Sequence, residues 1–253
     1  MARKVLWGMA FALAVALIAP QSPCLAADKE YVNGIDANFP PFAFVDKTGK
    51  PDGFDVAVMD WIAAHAGFKV KHQPMDWDGI IPSLNAKKID LIASGMSITD
   101  KRKQEVNFTI PYWTVKQVLV VKKDSDATPE KAMADGAKLG VQRGTSEAKW
   151  IEENLIKKEG KKFELVYYDS APLAVEDVLN GRVLAAAMDD APAKDAVAKK
   201  PVKIIGGFGM PDEEFGYAVR KEDTELLGKL NDGLKKIMAS PTWDELKKKY
   251  ELK

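Results

Sequence analysis

The sequence predicts an α/β fold of two lobes with mixed, mainly parallel sheets. Three observations carry this expectation. Beyond residue 30, short β-branched or apolar runs alternate with longer amphipathic runs, the pattern of strands joined by crossover helices. The succession then starts again, and about 225 residues suffice for two cores. Finally, segment 84–93, Leu-Asn-Ala-Lys-Lys-Ile-Asp-Leu-Ile-Ala, is echoed by 179–187, Leu-Asn-Gly-Arg-Val-Leu-Ala-Ala-Ala. Each reads as a helix end, a short basic turn and a buried strand.

The first strand is predicted over 31–35, ending at Asp36. Pro40-Pro41 excludes helix next, and 46–53 is a turn. A helix over 54–66 places Val56, Met59, Ile62 and Ala63 on one face and stops at Gly67. A strand over 69–75 precedes a helix over 77–84 with Pro82 in its first turns. The buried strand 89–93 leads to Ser94 and Gly95, and Thr99 or Asp100 caps a short helix carrying Arg102. The β-branched run 115–121 is a strand. In the second succession, helices are expected over 128–134, from Gly144-Thr145-Ser146 to about 157, and over 171–179. Strands are expected over 139–142, 163–168, 183–188, 202–205 and 217–219. Two helices close the chain, 224–239 and 242–250, the second read as capped by Thr242 with Glu245 three residues on.

Residues 1–27 read as a secretory signal. Arg3 and Lys4 precede an apolar run over 5–19, and small residues end at Ala26-Ala27, either of which suits cleavage. The run is shorter than the ~20 residues of a spanning helix. Cys24 is the only cysteine, and Gln21-Ser22-Pro23 lacks the apolar and small residues expected before a lipidated cysteine. An exported chain without disulfides is therefore expected. Charge is balanced at 37 basic and 37 acidic residues, with no basic patch to hold nucleic acid. No metal-ligand or nucleophile–base spacing appears, so neither cofactor nor metal is expected.

In open α/β sheets, ligands bind beyond the carboxyl ends of strands. Asp36, Phe39, Trp77, Ser94, Gly95, Met96, Ser97, Arg102, Thr145, Ser146 and Asp189 fall at such ends or at helix starts. A cation, two anions, hydroxyls and two aromatics suit an amino acid. Arg102 matches a carboxylate through its planar fork, and Asp189 matches an ammonium. Phe39 and Trp77 would flank a side chain, although either could equally be core.

The segments Asn38-Phe-Pro-Pro-Phe42, Gly53-Phe-Asp-Val56, Trp77-Asp-Gly-Ile-Ile-Pro-Ser-Leu84 and Ser97-Ile-Thr-Asp-Lys-Arg102 are similar to those of a known family. So are Asn107-Phe-Thr-Ile-Pro-Tyr112, Gly140-Val-Gln-Arg-Gly-Thr145 and Met188-Asp189. The chain resembles the periplasmic polar amino-acid binding proteins of ABC importers, including lysine-arginine-ornithine, histidine and glutamine receptors. That resemblance implies a monomeric two-lobed trap of the type II periplasmic-binding-protein class, hinged by two strands near 113–117 and 208–215. Lobe 1 would comprise 28–114 and 213–253, and lobe 2 would comprise 115–212. It implies a non-enzymatic receptor that hands its ligand to an inner-membrane permease. By the same resemblance Arg102, Ser97 and Thr145 hold the α-carboxylate and Asp189 the α-ammonium. Ser94 and Gly95 supply backbone contacts, and Asp36, Phe39 and Trp77 form the side-chain pocket, suiting arginine, lysine or an amide. Gln142 stands where basic-amino-acid receptors carry an apolar residue, and Glu147 where glutamine is common. The competing expectations are an exported enzyme resembling cyclohexadienyl dehydratase and a sensor module. His65 and His72 lie away from the predicted site.

Overall fold

The computed structural model describes residues 29–252, so the predicted signal and Cys24 lie outside the described residues. One five-stranded sheet orders Lys69–Met75, Glu30–Asp36, Leu91–Ile92, Ala218–Val219 and Asn107–Phe108. The other orders Glu164–Tyr168, Lys138–Gln142, Ala185–Asp189, Gln117–Lys122 and Val202–Gly206. In each, the first two pairings are parallel and the last two antiparallel. The sheets are mixed and share one order. The echoed segments lead into Leu91–Ile92 and Ala185–Asp189, the middle strand of each. Between the lobes, Trp113–Val115 pairs antiparallel with Glu213–Phe215, forming the two-strand hinge.

Each sheet is covered on both faces, as parallel strands require. In the first lobe, helices Phe54–Ala66, Thr224–Met238 and Pro241–Lys249 enclose one core. Leu226, Leu230, Leu234 and Ile237 form a buried stripe along the second of these, at helical spacing. Trp77, Ile80 and Leu84 cover the opposite side with Ile92 and Val106. In the second lobe, Ala148, Ile151 and Leu155 pack with Leu139 and Val141, whereas Ala174, Val175 and Val178 pack with Ala186 and Met188.

Local punctuation explains the boundaries. Gly67 ends its helix in the left-handed region at φ 69°. The last helix starts one residue earlier than expected. Pro241 takes the first helical turn with Ser240 at the cap position, so Thr242 is not the cap. The predicted strand 89–93 shrinks to Leu91–Ile92: the Asp90 N–H still donates to Val32 C=O at 2.7 Å, but the Val32 N–H is taken by the Asp90 carboxylate at 2.9 Å in place of a backbone carbonyl. The helix from Ser146 continues past Trp150 as a wider π-helix, Ile151–Lys158. Helix Asp190–Lys199 follows directly on Asp189; its Ala-rich, Lys-studded sequence carries little periodicity.

One buried acid joins these parts. Asp55 lies in the first turn of helix Phe54–Ala66 and is wholly buried. Its carboxylate accepts from Gly95 N–H at 2.7 Å, Tyr112 O–H at 2.8 Å and Tyr217 O–H at 3.2 Å. Burial pushes its pKa up to about 7, against the pull of these three donors. The folded protein therefore holds a proton that the unfolded chain releases above about pH 4. Stability from this group is full below that pH and is lost as pH rises through about 7. Asp55→Asn keeps an acceptor for Gly95, and both tyrosine hydroxyls can reverse. Thermal and denaturant unfolding from pH 4 to 8 should show wild type losing on the order of 4 kcal/mol more than this variant. Parallel curves would show that Asp55 ionises like an ordinary surface acid.

Candidate functional site

The first lobe supplies a pinned floor and one cation. Asp36 ends its strand, and its N–H donates to Ser94 Oγ at 2.9 Å, tying two strand ends together. Gly95 has φ +59°, and any Cβ there would collide with the Phe39 ring. Only glycine meets both conditions. Thr99 caps helix Asp100–Glu105 by accepting from Arg102 N–H at 3.2 Å. That short helix turns the Arg102 side chain inward, leaving the residue 5% exposed. Its guanidinium donates to Ser97 C=O at 3.0 Å and lies 5.4 Å from the Trp77 ring centre, a cation–π contact. Phe39 stacks on Phe42 and meets Phe215 edge-on.

The second lobe supplies the opposite wall. Asp189 ends strand Ala185–Asp189 and accepts from Gln117 Nε2 at 3.0 Å. Thr145 caps the Ser146 helix and donates its hydroxyl to Gln142 C=O at 2.8 Å. Ser146 Oγ donates to Glu213 Oε2 at 2.7 Å. The walls meet where Gln142 Nε2 donates to Asp36 Oδ2 at 2.7 Å and Arg102 donates to Gly144 C=O at 3.3 Å.

Between the walls is a cavity with about 270 Å³ of empty space. Every residue expected at the site lines it except Met96. Met96 turns the other way and is buried beside Trp77, Ile80 and Leu84 in the core. Glu147 lines it too. In the sequence it stands out as an acid close to the expected site residues, where similar receptors commonly carry glutamine. Gln117 and Glu213, one layer behind, carried no local signal; only the register of their strands brings them here.

Burial dominates the electrostatics. It pushes Asp36 up from the usual carboxylate range, and pushes Asp189 well above it with Glu147 adding repulsion. Glu147 rises to about 7, through burial and then the nearby Glu213 charge. Burial also pulls Arg102 down, while Glu213, Glu147 and Asp189 oppose that pull. A guanidinium has five N–H donors, and carbonyls take two at Arg102, leaving a fork free for a carboxylate. One guanidinium thus faces three lining carboxyls, Asp36, Glu147 and Asp189. That balance favours a ligand bringing one carboxylate and more than one positive group.

Comparison with known proteins agrees with this geometry. An L-arginine-binding protein of Pseudomonas aeruginosa is 33% identical over 94% of this chain and 93% of its own length. The crystal structure of an ABC uptake transporter substrate binding protein from Streptococcus pneumoniae, with bound histidine, superposes with a TM-score of 0.82. It is 31% identical and covers 87% of this chain and 92% of its own. An ancestral amino acid-binding protein, a precursor of cyclohexadienyl dehydratase, superposes with a TM-score of 0.78 at 34% identity, covering 87% and 94%. Residues 31–253 match one family throughout, and with the shared architecture this chain belongs to the bacterial extracellular solute-binding proteins, family 3.

Proposed function

We propose that this chain is an exported receptor that captures a polar amino acid between its lobes and passes it to an ABC transporter permease. The observation that carries the reading is the pairing of opposite charges in one cavity: Arg102 from one lobe and Asp189 from the other. Neither lobe alone satisfies both ends of a zwitterion, so ligand binds the closed form better and shifts the population toward it. Residues 28–114 with 213–253, and 115–212, are the two closing bodies, and the receptor acts as a periplasmic monomer. Its relatives' location supports this, and no helix among the described residues is long and apolar enough to cross a membrane.

The substrate class is a cationic amino acid, arginine, lysine or histidine, rather than an acidic one. The excess of carboxyls around Arg102 supports it, as do the arginine and histidine named for relatives. A second reading, an enzyme on the same fold, is favoured by Glu147, whose buried carboxyl near pH 7 suits proton transfer. Turnover of a bound compound, lost in Glu147→Gln, would replace the receptor reading.

Arg102→Ala should weaken amino-acid binding about 30- to 5,000-fold by calorimetry while the protein stays folded, because it removes one partner of a desolvated charge pair. Arg102→Lys should recover only part, since lysine lacks the fork. Affinity of Arg102→Ala within about threefold of wild type would remove Arg102 from the site.

Competition binding tests the substrate class. Arginine, lysine or histidine should displace a bound probe amino acid at least about tenfold better than glutamate or aspartate. Glutamate winning would overturn the cationic preference without touching the receptor reading.

A further inference from the structure

Asp36 and Gln142 occupy equivalent places in the two lobes. Each ends the second strand in its sheet's order, Glu30–Asp36 in one and Lys138–Gln142 in the other. Each of these strands has parallel neighbours on both sides. The common sheet order aims the two strand ends at each other across the cleft, where the 2.7 Å contact forms. Both residues are 3% exposed.

Each side chain also has a partner within its own lobe. Asp36 Oδ1 accepts from Asn38 N–H at 2.9 Å, and Gln142 Nε2 also reaches Asp169 C=O at 3.4 Å. Asp36 is thus held by its own lobe on one oxygen and by the opposite lobe on the other. Its amide partner already fills the place where a ligand's donor group would approach Oδ2.

We propose that Gln142 and Asp36 form a latch between the lobes, which favours the closed cleft through the protein's own side chains and makes Asp36 a closure residue. The proposal rests on the receptor reading and deepens it. A hydrogen bond from a neutral amide to a buried carboxylate is stronger than one between neutral groups. On opening, both partners return to water, so the latch biases the open–closed equilibrium without locking it. It also lowers the work a ligand must do, because part of the closure energy is present before binding. With Asp189 engaged by the α-ammonium, the ligand's side-chain cation is then left to Glu147, whose carboxyl faces the same cavity.

Small-angle scattering on ligand-free full-length protein tests the latch. The protein is freed of ligand by unfolding and refolding. Gln142→Leu removes the donor, and its radius of gyration should exceed that of wild type, reflecting an open-to-closed ratio raised about tenfold. Saturating amino acid should contract the variant to the wild-type bound value. Gln142→Glu keeps the side chain's shape and sets a second carboxylate against Asp36, so it should open the cleft at least as far. Asp36→Ala should open it too, and Asp36→Ala with Gln142→Leu should open it no further than either change alone. Ligand-free curves of Gln142→Leu and Gln142→Glu that match wild type would overturn the latch, as would opening that adds in the double variant. These curves need no ligand. Absence of amino-acid binding in wild type would therefore sink the receptor reading alone, and unchanged curves with intact binding would sink the latch alone.

Discussion

The site depends on a carboxyl group that does not line the cavity. Asp55 sits in the first turn of the helix behind the first sheet and holds the Gly95 N–H from below. Through Tyr112 and Tyr217 it also holds the two segments flanking the hinge strands, before Trp113 and after Phe215. One buried group thus fixes the strand-end loop relative to the hinge. Burying it is costly, as its raised pKa records, and it carries no cationic partner among its contacts. Three hydrogen bonds offset that cost only in part, so the site's rigidity is bought with stability.

On that floor the cavity balances one guanidinium against several carboxyls. Burial penalises every charge it contains, which is why each carboxyl's pKa rises and that of Arg102 falls. Charges so placed interact strongly because the lobes exclude water between them. A ligand that supplies one carboxylate and positive groups relieves the penalty on both sides. In the proposed receptor, closure and recognition are for this reason one event, since the charges are strong only when the cleft is shut.

The repeated sheet order explains how a two-lobed chain assembles one site. Strand ends that would be separate surface turns in a single α/β domain face each other here, from equivalent positions. Ser94 follows the middle strand of one sheet and Asp189 ends the middle strand of the other. Asp36 and Gln142 end the strands beside them. Buried arginines show what this placement decides. Arg220 is nearly as buried as Arg102, but it pairs with Asp90 and Asp223 and bridges Leu84 C=O and Ile89 C=O. It fastens the first lobe. Arg102 meets only carbonyls and an aromatic face, and so keeps its fork for a carboxylate.

Much was legible in the sequence because its signals are local. Paired prolines, Gly67 and the Thr99 and Thr145 caps act within a few residues, and helices Phe54–Ala66 and Ala171–Leu179 and strand Lys69–Met75 have the bounds expected from such local signals. The rule that ligands lie beyond strand ends, joined to the family resemblance, picked out every residue that lines the cavity except Glu147, and added Met96, which does not line it. Side-chain direction and partnership were not local. The chain's path after Ala93 turns Met96 into the core, and Glu147 stood out only as an acid where glutamine is common, not as a lining residue. The Asp36–Gln142 contact joins residues 106 apart, and the Gln117–Asp189 contact joins residues 72 apart. By itself the sequence determined which elements form and which ends carry polar groups, since those follow from backbone preference and periodicity. The tertiary structure alone decided which of those groups meet, because a hydrogen bond depends on position in space and sequence separation does not report it.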